Sequence, residues 1–136
     1  MHHGNVLRKI GTIEVVIIDI EYGLPTTRGF DVANYLSEFC ANYDAEDRWV
    51  LNSSEYPSDA FIDEILNSYV QNSLPDSKLD VDRIKNEISA YLPIVQLFWG
   101  HWSVFQAFQV PENSMAFYLE FAHQRYRRFM EIMSSN

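Results

Sequence analysis

Val15-Val16-Ile17-Ile18-Asp19-Ile20-Glu21-Tyr22 is the stretch from which the fold is read. Its apolar, β-branched run predicts a buried strand, and two carboxylates follow at the exit. If the strand stays extended through them, Asp19 and Glu21 point the same way. Two acids in that position are costly unless a metal or a cation meets them. The other reading is that the strand has ended and both are solvated loop acids. Working backward, Asn5 to Lys9 and Thr12 to Asp19 read as two short strands joined at Ile10-Gly11. Such a hairpin brings Asn5 to the end that carries Asp19. A neutral oxygen beside carboxylates is a hard-ligand set suited to Mg²⁺.

Working forward, Ile20 to Phe30 reads as a loop, with Gly23, Pro25 and Gly29 among its residues. Asp31 then reads as a helix N-cap, with Val32, Tyr35, Leu36 and Phe39 on one apolar face. Residues from about Asp44 to Pro57 are polar and turn-like. Ser58 caps a second helix with Phe61, Ile62, Ile65, Leu66, Tyr69 and Val70 inward. Asn72 to Leu79 is a loop. A third helix starts near Val81 with Ile84, Ile88 and Tyr91, and Pro93 either kinks it or opens the next one. Ile94 to Phe108 is apolar on most faces and predicts the central buried helix. Pro111 breaks it. A last helix, about Ser114 to Met133, carries Phe117, Leu119, Phe121, Tyr126, Phe129 and Met130, with Arg125, Arg127 and Arg128 on its solvent side. The expected class is α+β, mainly α: an N-terminal β-hairpin followed by a helical bundle, in one domain over residues 1–136.

Composition narrows the function classes. A chain of 136 residues with 47% hydrophobic and 15% aromatic residues buries a moderate core. A net charge of −9 disfavours nucleic acid and anionic membrane and suits a cationic ligand. The single cysteine, Cys40, excludes an intrachain disulfide and fits a reducing, cytoplasmic setting; in its apolar helical pattern it reads as a buried structural thiol. No signal peptide is seen. The longest apolar stretch, near Leu92 to Val110, is broken by Gln96, Gly100, His101, Ser103, Gln106 and Gln109, which argues against a membrane span.

Several sites of chemistry are missing from the sequence. It holds no phosphate-cradling glycine loop, no Cys/His zinc cluster and no nucleophile elbow. His101 and His123 are isolated and read as packing residues. Trp99-Gly100-His101-Trp102 puts two indoles three apart on one helix face. Glu38 follows Asp31 by two helical turns on the same face. Indole faces plus a carboxylate are what an ammonium group needs. A core tryptophan pair and a surface glutamate is the alternative.

The order of these pieces resembles the choline/ethanolamine kinase family. The likeness runs through Ile18-Asp19-Ile20-Glu21-Tyr22, then Arg28-Gly29-Phe30-Asp31-Val32-Ala33-Asn34, then Glu38-Phe39 and Tyr56-Pro57. It continues in Phe98-Trp99-Gly100-His101-Trp102-Ser103-Val104 with Gln106-Ala107, and in Phe121-Ala122 with Arg125-Tyr126. Ala33 stands where the family has Gly, and Phe121 where it often has Tyr. His2, His3, Gly4 and Asn5 resemble the tail of the family's H-x-D-x-H-x-x-N loop, which makes His2-His3 native sequence rather than a tag.

The resemblance implies the C-terminal lobe of a protein-kinase-like fold. Residues 1–22 would be the catalytic-loop tail and metal-binding hairpin, and residues 31–136 the helical substrate-binding part. Asn5 and Asp19 would be Mg²⁺ ligands and Glu21 a further acid of the metal site. Tyr22, Glu38, Tyr43, Trp99, Trp102 and Phe121 would line the pocket for the substrate ammonium. ATP is the implied co-substrate, and choline, ahead of ethanolamine, the implied acceptor in phospholipid synthesis. The family's catalytic Asp would fall just before Met1, with the ATP-binding lobe upstream, so the 136-residue chain is expected to be inactive alone. Contact with that lobe, or a homodimer, is expected to cover the apolar face beneath it. A truncated, non-catalytic interaction or regulatory module is the non-enzyme alternative. An aminoglycoside or other small-molecule kinase is the other enzyme, against which the paired tryptophans argue.

Overall fold

The computed structural model describes residues 3–20, 23, 25–73 and 80–135. Glu21 and Tyr22, and part of the expected loop over 72–79, lie outside the described residues. After a short 3₁₀ turn at His3–Asn5, strands β1 (Val6–Arg8) and β2 (Val15–Ile17) pair antiparallel with Val6 opposite Ile17 and Arg8 opposite Val15. Gly11 turns the corner at φ 77°, a conformation that glycine adopts without penalty. Lys9 and Glu14 close the loop through a backbone bond of 3.0 Å and an ion pair of 3.1 Å.

The expected burial of this strand is corrected. Val15, Val16 and Ile17 are 58%, 52% and 52% exposed, because a two-stranded ribbon has two open faces and no helix among the described residues covers either.

Helix α1 (Arg28–Ser37) begins a turn earlier than expected. The Thr27 hydroxyl, not Asp31, caps it, accepting from the Phe30 N–H at 3.4 Å. Asp31 instead sits in the first turn, where its charge suits the helix N-terminus. A 3₁₀ turn, Glu38–Cys40, continues α1, and a second, Ser53–Glu55, follows in the long connection. Helix α2 (Asp59–Gln71) starts where expected, with Ser58 accepting from Phe61 N–H. Ile62 and Leu66 are buried, whereas Phe61 and Tyr69 face outward, which corrects the wider apolar face expected for them.

Helix α3 (Val81–Ala107) is a single 27-residue element capped by Asp80, and it runs through Pro93 without a break. After a short link containing Pro111, α4 (Glu112–Ser134) folds back along it. Gly100 permits this approach, since a Cβ there would lie 2.8 Å from the Tyr126 ring. Gly29 does the same for α1 on α3: its Cβ would lie 2.6 Å from the Tyr91 ring and 2.8 Å from Glu87 Cβ. The core gathers Ala33 and Leu36 of α1, Ile62 and Leu66 of α2, and Ile84, Ile88 and Val95 of α3. Arg28 reinforces the α1–α3 contact with a two-pronged bond to Glu87 at 2.6 and 3.1 Å.

Helix α3 is central, yet not buried on most faces. Ile94, Phe98 and Phe105 are 47% to 63% exposed and edge an open groove of about 550 Å³, and Phe108 just past the helix end is exposed as well. Arg125 is the opposite correction: expected on the solvent side of α4, it is 1% exposed. No helix among the described residues is long and apolar enough to cross a membrane.

Candidate ligand site

Two groups of predicted residues come together, each by a separate part of the chain. The first lies at the end of the hairpin. The register places Asn5 beyond Val6 and across from Ile18, whose N–H donates to the Asn5 carbonyl at 2.9 Å. The Asn5 side-chain amide then donates to Asp19 Oδ2 at 3.1 Å. This leaves the amide oxygen and the second carboxylate oxygen as adjacent hard donors. Asp19 has φ 55°, a left-handed conformation rare outside glycine. The strand has therefore ended, and the same-side argument for Asp19 and Glu21 does not hold. Among the described residues no three His, Cys, Asp or Glu side chains gather as a metal cluster. The corner fits a Mg²⁺ that takes one or two protein carboxylates and completes its shell with phosphate and water.

The second group spans α1, α3 and α4. Trp99 and Trp102, three apart on α3, meet with ring centroids 5.4 Å apart and planes 78° to each other. The Trp99 indole N–H donates to Asn34 Oδ1 at 2.6 Å, which ties the corner to α1. Tyr118 of α4 stands beyond Trp102 at 6.0 Å. Two indoles held nearly perpendicular offer a cation two π surfaces.

Glu38, one turn after Asn34, is buried. Its Oε1 accepts from Arg125 Nη2 at 2.8 Å, and its Oε2 from the Tyr43 hydroxyl at 2.5 Å. Arg125 Nη1 reaches Gln96 Oε1 at 3.3 Å, and its guanidinium lies 4.8 Å over the Phe121 ring. Arg125 Nε is buried and finds no partner among the described residues. Burial first, and the Glu38 charge second, push the Tyr43 phenol above the ordinary tyrosine range. Phe121 is buried with its ring on Arg125, so it backs the ion pair.

Outside these groups, His101 bonds Leu97 O through Nδ1 and lies edge-on to Tyr126 while staying exposed, and His123, also expected to pack, is exposed beside Glu120. Cys40 is buried, and desolvation raises its thiol above the usual range, as befits an unreactive side chain.

Reading the sequence missed Arg125, Gln96, Asn34 and Tyr118. Arg125 had a signal: it lies four residues after Phe121, on the same helical stripe as that buried ring. Asn34 had another, since it falls on the buried side of α1 beside Ala33.

The sequence model of the family described as Choline/ethanolamine kinase matches residues 1–130. "Probable choline kinase 1" of Arabidopsis thaliana is 28% identical over 131 residues, which cover 95% of this chain and 37% of that protein. "Ethanolamine kinase" of Saccharomyces cerevisiae is 28% identical over 125 residues, covering 85% of this chain and 23% of that protein. "Choline kinase" of the same yeast is 31% identical over 99 residues, 69% of this chain and 17% of that protein. The chain thus spans about a third or less of the length of these relatives.

Proposed function

The chain belongs to the choline/ethanolamine kinase family, and from that premise we infer that it supplies the amine pocket and the metal corner of an enzyme that phosphorylates choline. The reaction is transfer of the γ-phosphate of ATP to the substrate hydroxyl, with ethanolamine the second acceptor. The observation that carries this reading is the indole corner of Trp99 and Trp102, held by Asn34 beside the buried Glu38.

The ammonium is assigned to the two indole faces, with Tyr22, Glu38 and Tyr43 as further residues of the site by the family resemblance, and Phe121 acting from behind the Glu38–Arg125 pair. Fixing the amine end orients the hydroxyl, and such positioning supplies much of the rate in phosphoryl transfer. Asn5 and Asp19, with Glu21 as a further acid, are the residues that would hold Mg²⁺. When bound with ATP, the metal neutralises charge on the transferring phosphoryl group. The chain spans about a third or less of the length of its kinase relatives, so the groups that take the hydroxyl proton and hold the nucleotide are assigned to the part of such an enzyme that it does not span. The 136-residue chain is therefore expected to bind the amine and to form no phosphocholine by itself.

Choline is placed first because Arg28-Gly29-Phe30-Asp31 looks like the choline-preferring branch of the family. A reduced, buried Cys40 suits a cytoplasmic enzyme of phospholipid synthesis. The open faces of the hairpin and of α3 are where the remaining length of a larger kinase, or a second copy, would pack.

The test follows phosphocholine by ³¹P NMR with the protein over its full coding length. Formation should require ATP and Mg²⁺, and Asp19→Asn should lower kcat by on the order of 100-fold. No phosphorylation of either amino alcohol by the full-length protein would defeat the reading, and turnover by the 136-residue chain alone would defeat its division of labour.

A further inference from the structure

The buried ion pair behind the cage has a consequence for which amine is chosen. Asn34 and Glu38 lie one turn apart at the end of α1, and Gln96 and Trp99 one turn apart on α3. Two bonds bridge these helices at that level: Trp99 to Asn34 directly, and Glu38 to Gln96 through the Arg125 guanidinium. The ion pair is thus built into the same contact that fixes the indole corner.

Both oxygens of Glu38 already hold strong donors, one from Arg125 and one from Tyr43. The formal charges of Glu38 and Arg125 cancel. What lies one helical turn from Asn34, the residue that holds Trp99, is a balanced pair, its carboxylate bonded on one oxygen to Arg125 of α4 and on the other to Tyr43. A primary ammonium carries N–H groups that need acceptors to replace lost water. A quaternary ammonium has none and is satisfied by aromatic faces.

We propose that Arg125 sets the amine preference of the cage: by holding the Glu38 carboxylate, it favours a quaternary ammonium over a primary one. Arg125 is a positioning residue, because it acts through Glu38. The inference rests on the amine-binding reading above.

Calorimetric titration of choline and of ethanolamine into the chain tests it, using wild type, Arg125→Gln and the double variant Glu38→Gln/Arg125→Gln. Arg125→Gln frees a charged acceptor, so the affinity ratio of choline to ethanolamine should fall about tenfold, the scale of one charge-assisted hydrogen bond. In the double variant no carboxylate is left to accept, and the ratio should return to within about threefold of wild type. A merely structural arginine would weaken both amines alike and give the double variant the same loss, and that result overturns the proposal. If Arg125→Gln lacks a cooperative melt, Arg125→Lys carries the test. It keeps the charge without the fork, so the ratio should fall about threefold, and an unchanged ratio overturns the proposal. Absence of saturable binding of either amine to wild type would overturn the reading beneath and this proposal with it. Binding of both, with a ratio the variants leave unmoved, overturns this proposal alone.

Discussion

Tyr43 carries two roles in one hydroxyl. It orients the Glu38 carboxylate at 2.5 Å, and it is held protonated by burial and by that same charge. Tyr56 is pushed up to about 12, also chiefly by burial. A group whose folded pKa is raised keeps its proton longer in the folded state than in the unfolded one. The stability it adds is complete below the ordinary tyrosine value of 10.0 and is lost as pH rises through the folded value. Denaturant midpoints should therefore be level up to about pH 9 and fall above about pH 10. Tyr43→Phe should make that fall shallower; an identical slope in the variant would contradict a protonated, inward phenol. Arg125 shows why some of the site was hidden at this scale. A charge on a helix reads as solvated until its partner is known, and that partner stands 87 positions away. Glu38 could be singled out from the sequence as a carboxylate; the arginine that balances it could not.

The elements owe their places to small residues and caps. Ser58 was readable as the start of α2 because a hydroxyl just before an apolar face has one evident use. Thr27 was not, because glycines and a proline nearby make residues 20–30 look like loop throughout. Pro93 left two readings open, and packing on both sides of α3 decides for one continuous helix. Gly29 gives an element-scale prediction. An alanine there gains about 1 kcal/mol of helix propensity. Its Cβ would also overlap the Tyr91 ring and Glu87 Cβ at 2.6 and 2.8 Å, and Glu87 Cβ sits too close to the backbone to swing aside. Overpacking of this kind costs about 1–3 kcal/mol, so Gly29→Ala should lower the stability of the chain by about 1 kcal/mol in urea unfolding. A gain in stability would mean that α1 and α3 are further apart than described.

At the scale of the whole molecule, the order of hairpin then helices was legible because periodicity and punctuation are local signals. Burial was less so. The Val15–Ile17 run and the Ile94–Phe108 face have core composition, yet both lie open here. Apolar residues state that a surface is to be covered without stating by what. The site shares this division. The Asn5–Asp19 corner and the two indoles could be placed from sequence, since each lies within one hairpin or one helix face. The polar frame of Asn34, Gln96 and Arg125 depends on how three helices meet. The central claim is that α3 presents an ammonium cage at Trp99 and Trp102, and the chain has three tryptophans, which makes Trp49 an internal control. Choline titrated into ¹⁵N-labelled chain, read at the indole N–H signals, tests it most directly. Saturable shifts of the Trp99 and Trp102 signals are expected, with that of Trp49 unmoved. A folded chain whose Trp99 and Trp102 signals stay fixed at millimolar choline would contradict it.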